Sequence, residues 1–216
     1  MTTTIDEEEK TEFHFHELSQ SAKDYACQKY AEHCMDHEWW GHIYEDYHER
    51  CEAAGFIDPQ FSFSGFYTQG SGACFSCERF VFDGAEALKY LTKKDHDYLM
   101  VKIAEARLSG FNTTFHLSGS ITSGGHYYHE NTMTVGEWFA DFDPTGHDGA
   151  DALLQCVADR ISWEASSELV LEAARDIASD LYKSLQNEYE YQTSEEQVGE
   201  AAEANGWLFT ESGDLL

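Results

Sequence analysis

The sequence predicts an α+β fold. An antiparallel four-stranded sheet, two hairpins around a helix, follows a long N-terminal helix and precedes a helical C-terminal third. Three observations predict it. Apolar and aromatic side chains recur at spacings of 3 and 4 over residues 18–54, as on a helix with one buried face. Over residues 60–136, aromatic-rich runs flank glycine-rich turns, the pattern of hairpins. Helical periodicity then returns over residues 149–204.

The first helix is expected to carry one stripe: Ala26, Tyr30, His33, His37, Trp40, Tyr44, Tyr47 and Cys51. Acids Asp24, Glu38, Glu45, Glu49 and Glu52 fall on its other side, and Gly55 ends it as a C′ glycine. Phe61, Phe63 and Tyr67 then alternate with small polar residues, and the run "ACFSCERFVF" follows "TQGSG". These make the first hairpin, with Gly70 and Gly72 supplying the backbone freedom of its turn. The second is expected from "FNTTFHLSGSI" and "HYYHENTMTV", joined around Ser123, Gly124 and Gly125, and residues 83–108 between the hairpins read as helix. In the last third, residues 151–159 start a helix and residues 163–189 make a long one. Its buried face is read as Trp163, Val170, Ala174, Ile177, Leu181 and Leu185. A short helix capped by Ser194 and an edge strand or small hairpin complete the chain.

With 216 residues the chain suits a single domain over residues 18–216, behind an acidic tail over residues 1–17. The aromatic content of 14% excludes a disordered chain. No stretch approaches the roughly 20 apolar residues of a membrane helix, and the acidic start lacks a signal-peptide core. The six cysteines therefore read as reduced thiols in a cytoplasm. Charge is the dominant feature: 41 acidic against 13 basic side chains, net -28. Residues 1–60 carry -11, residues 137–216 carry -16, and residues 61–136 only -1. Such a surface repels nucleic acid and anionic membrane and attracts basic partners.

Several constellations invite chemistry, and most have an ordinary explanation. The glycine-rich turn has neither the lysine nor the following helix of a phosphate loop, although its tip, Thr68, Gln69 and Ser71, is free to meet a partner. Cys74 and Cys77 form a lone CxxC without a second pair, which reads as buried thiols. His33 and His37 share the i,i+4 spacing of two metal ligands, with His14 and His16 as further close-spaced donors, but lack the HExxH order. His126, His129 and Glu130 on an expected strand offer acid–base groups, without a nucleophile motif beside them. No cofactor is expected.

The acidic ladder Glu164, Glu168, Glu172, Asp176 and Asp180 is different. Like charges at i,i+4 cost an isolated helix roughly 0.2–0.5 kcal/mol per pair, and interspersed lysines would avoid that cost. A solvated face explains such a ladder. So does a row of carboxylates standing in for nucleic-acid phosphates. Adaptation to high salt does not, because the middle of the chain is near neutral.

The run "SGFYTQGSGACF", residues 64–75, and more loosely the tail "SEEQVGEAAEANGWLFTESGDLL", resemble small uncharacterised proteins of tailed bacteriophages and prophages. That resemblance carries no known activity and no catalytic residues. It implies a protein made inside an infected bacterial cell, where very acidic accessory proteins act as DNA mimics against defence enzymes. The reading that follows is a non-enzymatic inhibitor. Its partner is a basic, nucleic-acid-binding host protein, met through Glu38, Glu45, Glu49, Glu52 and the ladder. No direct contact with nucleic acid or membrane is expected, and a homo-oligomer is compatible with the near-neutral sheet. The alternatives are a small hydrolase or metal-binding protein using the histidines, and a virion structural or assembly protein.

Overall fold

A computed structural model describes residues 11–35, 37–125 and 127–216. The chain is α+β, with seven α-helices and five strands among the described residues. It folds as two compact units: the chain up to Gly41 together with Leu185–Leu216, and His42–Ser184.

In the smaller unit, α1 (Gln20–Tyr30) starts where the Ser19 hydroxyl accepts the Ala22 amide at 3.3 Å. It runs into a 3-10 turn, Ala31–Cys34. A later helix, Glu195–Ala204, starts the same way, with Ser194 accepting from Gln197 at 3.4 Å. Phe15, Leu18, Ala22, Ala26, Ala31, Val198, Ala202 and Phe209 form the core. The C-terminal segment, expected as an edge strand or small hairpin, forms isolated antiparallel bridges, Phe209 to both Phe13 and Leu215. Gly213 sits at φ +91°, and a Cβ there would strike the Ala22 carbonyl. Only glycine suits that position.

The larger unit contains most of α2 (Gly41–Ala53), then β1 (Phe56–Ile57), β2 (Gln60–Ser64) and β3 (Gly72–Asp83). There follow α3 (Ala85–Lys89), α4 (Lys93–Leu108), β4 (Phe115–Ser123), β5 (Met133–Phe142) and α5 (Asp148–Ala158). The long helix α6 (Trp163–Gln192) begins here and ends in the smaller unit, leaving α7 for Glu195–Ala204. All strand pairs are antiparallel, in the order β1-β3-β4-β5, with β2 also on β3. The 12-residue β3 takes β2 along its first half (Ser64↔Gly72 to Gln60↔Ser76) and β1 beyond it (Phe56↔Phe80). Phe115, Leu117, Gly119 and Ile121 of β4 are buried in alternation, so one face of the sheet meets the core and the other meets water. Phe56, Phe75, Phe80, Leu99, Met133 and Val170 share that core.

The structure departs from the sequence reading in four places, the first being that the helix expected over residues 83–108 is two, α3 and α4. Residues 18–54 are not one helix. The backbone tightens at Ala31–Cys34 and turns extended at Met35 (φ -86°, ψ 142°), and a new helix starts at Gly41. The expected stripe therefore splits: Ala26, Tyr47 and Cys51 are buried, His33 and His37 are exposed, and Ile43 joins the core. The last strand starts at Met133, because residues 124–125 and 127–132 are outside any strand and end in a 3-10 turn. A register shift between Gly119 and Ile121 breaks the period-2 signal there. Finally Trp163, assigned to the buried face of α6, is 54% exposed at the helix start.

Candidate functional site

α2 buries Ile43, Tyr47 and Cys51, one residue per turn, which turns Glu45, Glu49 and Glu52 outward; all three are exposed. α6 buries Val170, Ala174, Ala178 and Leu181 and exposes Glu164, Glu168, Glu172, Asp176 and Asp180. Each i,i+4 step advances about 40° around the helix, so the five carboxylates follow a shallow spiral over its solvent side. The two helices meet through side chains within the larger unit. The Tyr47 hydroxyl bonds that of Ser184 at 3.0 Å, and Arg50 approaches Asp180 at 3.6 Å. Arg50 also stacks over the Tyr47 ring at 4.3 Å. Glu38 is exposed too, in the smaller unit.

The ladder is not uniformly bare. Arg175 reaches Glu168 at 3.0 Å, and Asp180 meets both Lys183 at 3.2 Å and Arg50. Among the described residues, Glu164, Glu172 and Asp176 have no cation within 4.0 Å. They are the open carboxylates of the row. Across the chain, acid is densest in the segments of the smaller unit, with 18 acidic and 3 basic side chains, against 23 and 10 in the larger. Two of those three bases tie the smaller unit together: Lys23 bridges Glu195 at 3.3 Å and Lys29 bridges Asp214 at 2.6 Å.

The glycine-rich turn is a closed structural device. Thr68 N–H donates to the Ser71 hydroxyl at 3.1 Å, Ser71 N–H returns to the Thr68 carbonyl at 3.1 Å, and the two hydroxyls bond at 2.8 Å. Ser64 donates to the Gly70 carbonyl at 2.9 Å. A Cβ at Gly70 would meet the Tyr127 ring at 2.9 Å, and one at Gly72 the His129 ring at 2.7 Å. The motif's serine and glycines thus seat the first hairpin against the 124–132 loop, while Gln69 and Tyr67 stay exposed.

The histidine candidates separate. His126 lies outside the described residues. His129 is on the loop, not a strand; its Nδ1 accepts the Asn131 amide at 3.2 Å and lies 3.0 Å from Glu130. His33 is in the 3-10 turn, edge-on to Tyr30 at 6.1 Å, and His37 lies beyond its end, so the two do not share a helix face. His14 stacks on His16 at 5.7 Å, and His16 lies 3.2 Å from Glu203. Cys74 and Cys77 are both buried, and burial pushes both thiols up. Cys51 is pushed up to about 12 for the same reason. None of the three is an activated nucleophile.

Two clusters had no sequence signal, because only folding brings them together. His116 at the start of β4 is clamped between Asp83 (Nδ1, 2.6 Å) and Asp143 (Nε2, 2.9 Å). Burial of its ring opposes the charge, and the two carboxylates outweigh that and hold His116 above the usual histidine range. With both nitrogens engaged, it is a clamp on three strand ends rather than a proton shuttle. His48, Glu52 and Asp58 each bring one potential ligand atom within 4.8 Å of the others. Asp58 joins the α2 residues only because the chain reverses after Gly55. All three sit at the surface, where acids gather without a metal.

Residues 39–195 match the model of a family described as a domain of unknown function (DUF8835). That span contains every strand and the whole of the acidic ladder. No curated protein matches the chain, and no solved structure does.

Proposed function

We propose that this chain, which belongs to the family of the domain of unknown function DUF8835, is a non-enzymatic acidic inhibitor. Its helix-borne carboxylates stand in for nucleic-acid phosphates and occupy the basic channel of a DNA- or RNA-binding host protein. One observation carries the reading. All nine nominated carboxylates are exposed, and Glu164, Glu172 and Asp176 stand on a rigid helix without a cation among the described residues. Carboxylates held about 5–6 Å apart on such a helix face suit a row of lysines or arginines, and an exposed acidic field speeds encounter with a basic partner. The setting, the cytoplasm of an infected bacterial cell with a defence protein as target, rests on the resemblance of residues 64–75 to phage proteins.

The test is affinity capture of the tagged protein from a bacterial lysate at about 0.1 M and about 0.5 M salt, which differ in screening length. A stoichiometric nucleic-acid-binding partner is expected at the lower salt and lost at the higher. A variant with Glu164→Gln, Glu172→Gln and Asp176→Asn should lose it at both. A partner retained at high salt by that variant refutes charge mimicry and moves the interface to the apolar surface.

A further inference from the structure

α4 is unusual for a surface helix. Its inner side buries Leu99 and Ile103, yet Val101 is 54% exposed, Met100 43% and Leu108 90%. At 100° per residue, Asp97, Val101, Ala104 and Leu108 fall within a 60° arc, with Met100 and Arg107 on its flank, and all six are exposed. This is a narrow apolar stripe, two turns long, with an acid at one end and a base at the other. Leu153 of α5 is 64% exposed as well. A groove of about 370 Å³ between α4 and α5, lined by Ala106, Phe111, Leu153 and Leu154 among others, lies alongside.

The local charge says what covers it. α4 carries four bases, Lys93, Lys94, Lys102 and Arg107, against Asp95, Asp97 and Glu105. Among the described helices only α1 matches it in carrying more bases than acids, and both lysines of α1 are already bridged. Lys102 is taken by Glu105 at 2.7 Å; Lys94 and Arg107 have no carboxylate within 4.0 Å among the described residues. Two copies meeting through the acidic faces of α2 or α6 would bring acid to acid. Meeting here, they do not.

We propose that α4 is a self-association surface whose partner is a second copy of this chain. The helices pack antiparallel about a twofold axis near Val101 and Ala104. Small Ala104 admits Val101 of the other copy, and Asp97 of each copy lies beside Arg107 of the other. An isologous contact repeats both complementary pairs. A helix of 16 residues spans about 24 Å, the length over which the two copies would meet. The inference is independent of charge mimicry, since it uses none of the nominated carboxylates.

The test is sedimentation equilibrium of the full chain from about 1 to 100 μM at about 0.15 M salt, a range that resolves micromolar dissociation constants. A dimer is expected. Val101→Glu with Leu108→Glu should weaken it at least about 100-fold without changing the circular dichroism, because both sites are exposed. Asp97→Arg and Arg107→Asp should each weaken it about 10-fold, and the two together should restore it to within about 3-fold. A monomer throughout the range, or a dimer indifferent to the glutamates, overturns the proposal. Failure of the double reversal to restore association overturns the antiparallel register.

Discussion

Neutralising Glu164, Glu172 and Asp176 should stabilise the protein, and the structure sets the size of the effect. The ladder has four like-charge i,i+4 steps, and every step contains at least one of these three residues. At roughly 0.2–0.5 kcal/mol per step the relief would be about 1–2 kcal/mol. Arg175 beside Glu168 and Lys183 and Arg50 beside Asp180 already offset part of the repulsion. The lower end, about 1 kcal/mol, is therefore expected, or roughly 2–4 °C in Tm for a chain of this size. Glu168→Gln should behave differently. It strips the carboxylate from Arg175, whose buried Nε has no acceptor among the described residues, and so leaves stability unchanged or lower.

Urea unfolding and thermal melts of the triple variant, Glu168→Gln and the parent decide this. The same proteins serve for binding once a partner is in hand. Three exposed charges at about 0.2–1 kcal/mol each predict a loss of roughly 3- to 150-fold in affinity. A triple variant that is more stable yet binds poorly separates function from folding. One that melts lower than the parent refutes the reading of the ladder as an electrostatic burden on α6.

Two further outcomes follow from single positions. His116 is raised by its two carboxylates, so its contribution is fully present below the unfolded histidine pKa and lost as pH rises through the folded value; melts from pH 5 to 9 should show that decline, and His116→Gln should flatten it. Gly213→Ala should cost about 2 kcal/mol or more, because alanine disfavours φ +91° and its Cβ would strike the Ala22 carbonyl; a urea midpoint unchanged from the parent would contradict the packing of the C-terminal turn on α1.

The parts of the fold legible in the sequence were those set by local rules. The long C-terminal helix announced itself through Val170, Ala174, Leu181 and Leu185, all fully buried, and Ser194 caps α7 where its side chain said it would. The first hairpin was legible because its turn is closed by its own residues, Thr68 and Ser71. Illegible were the features that depend on register or on long-range return of the chain. The break after Tyr30 escaped because aromatic spacing continued through a segment where helical hydrogen bonding did not. The start of β5 escaped because the bulge opposite Gly119 shifts the inward pattern from Met133 and Val135 to Trp138 and Ala140. Asp83, His116 and Asp143 are separated by tens of residues, and only the strand register joins them. The acidic ladder was visible as a pattern, but which of its members keep an open charge was decided by Arg50, one helix away.

Salt should move stability and binding in opposite directions, and that opposition is the sharpest consequence of where the charge lies. The segments of the smaller unit carry 18 acids and 3 bases, and two of its lysines are already in bridges that are partly exposed. Exposed pairs of this kind contribute little, about 0–1 kcal/mol, whereas repulsion among many like charges accumulates. Sodium chloride shortens the screening length from about 30 Å at 0.01 M to about 3 Å at 1 M, which removes the long-range repulsion before it touches pairs in contact. Tm should therefore climb with sodium chloride, most steeply below about 0.2 M, where that length changes fastest. Sulfate would confuse the result, because it strengthens apolar burial in any protein. Affinity for a basic partner should fall over the same interval, since screening weakens attraction as it weakens repulsion. A Tm that falls with chloride would mean that the Lys23–Glu195 and Lys29–Asp214 bridges outweigh the repulsion around them. The carboxylates would then be part of what holds the unit folded, and their availability to a partner would be lost as an explanation for their number.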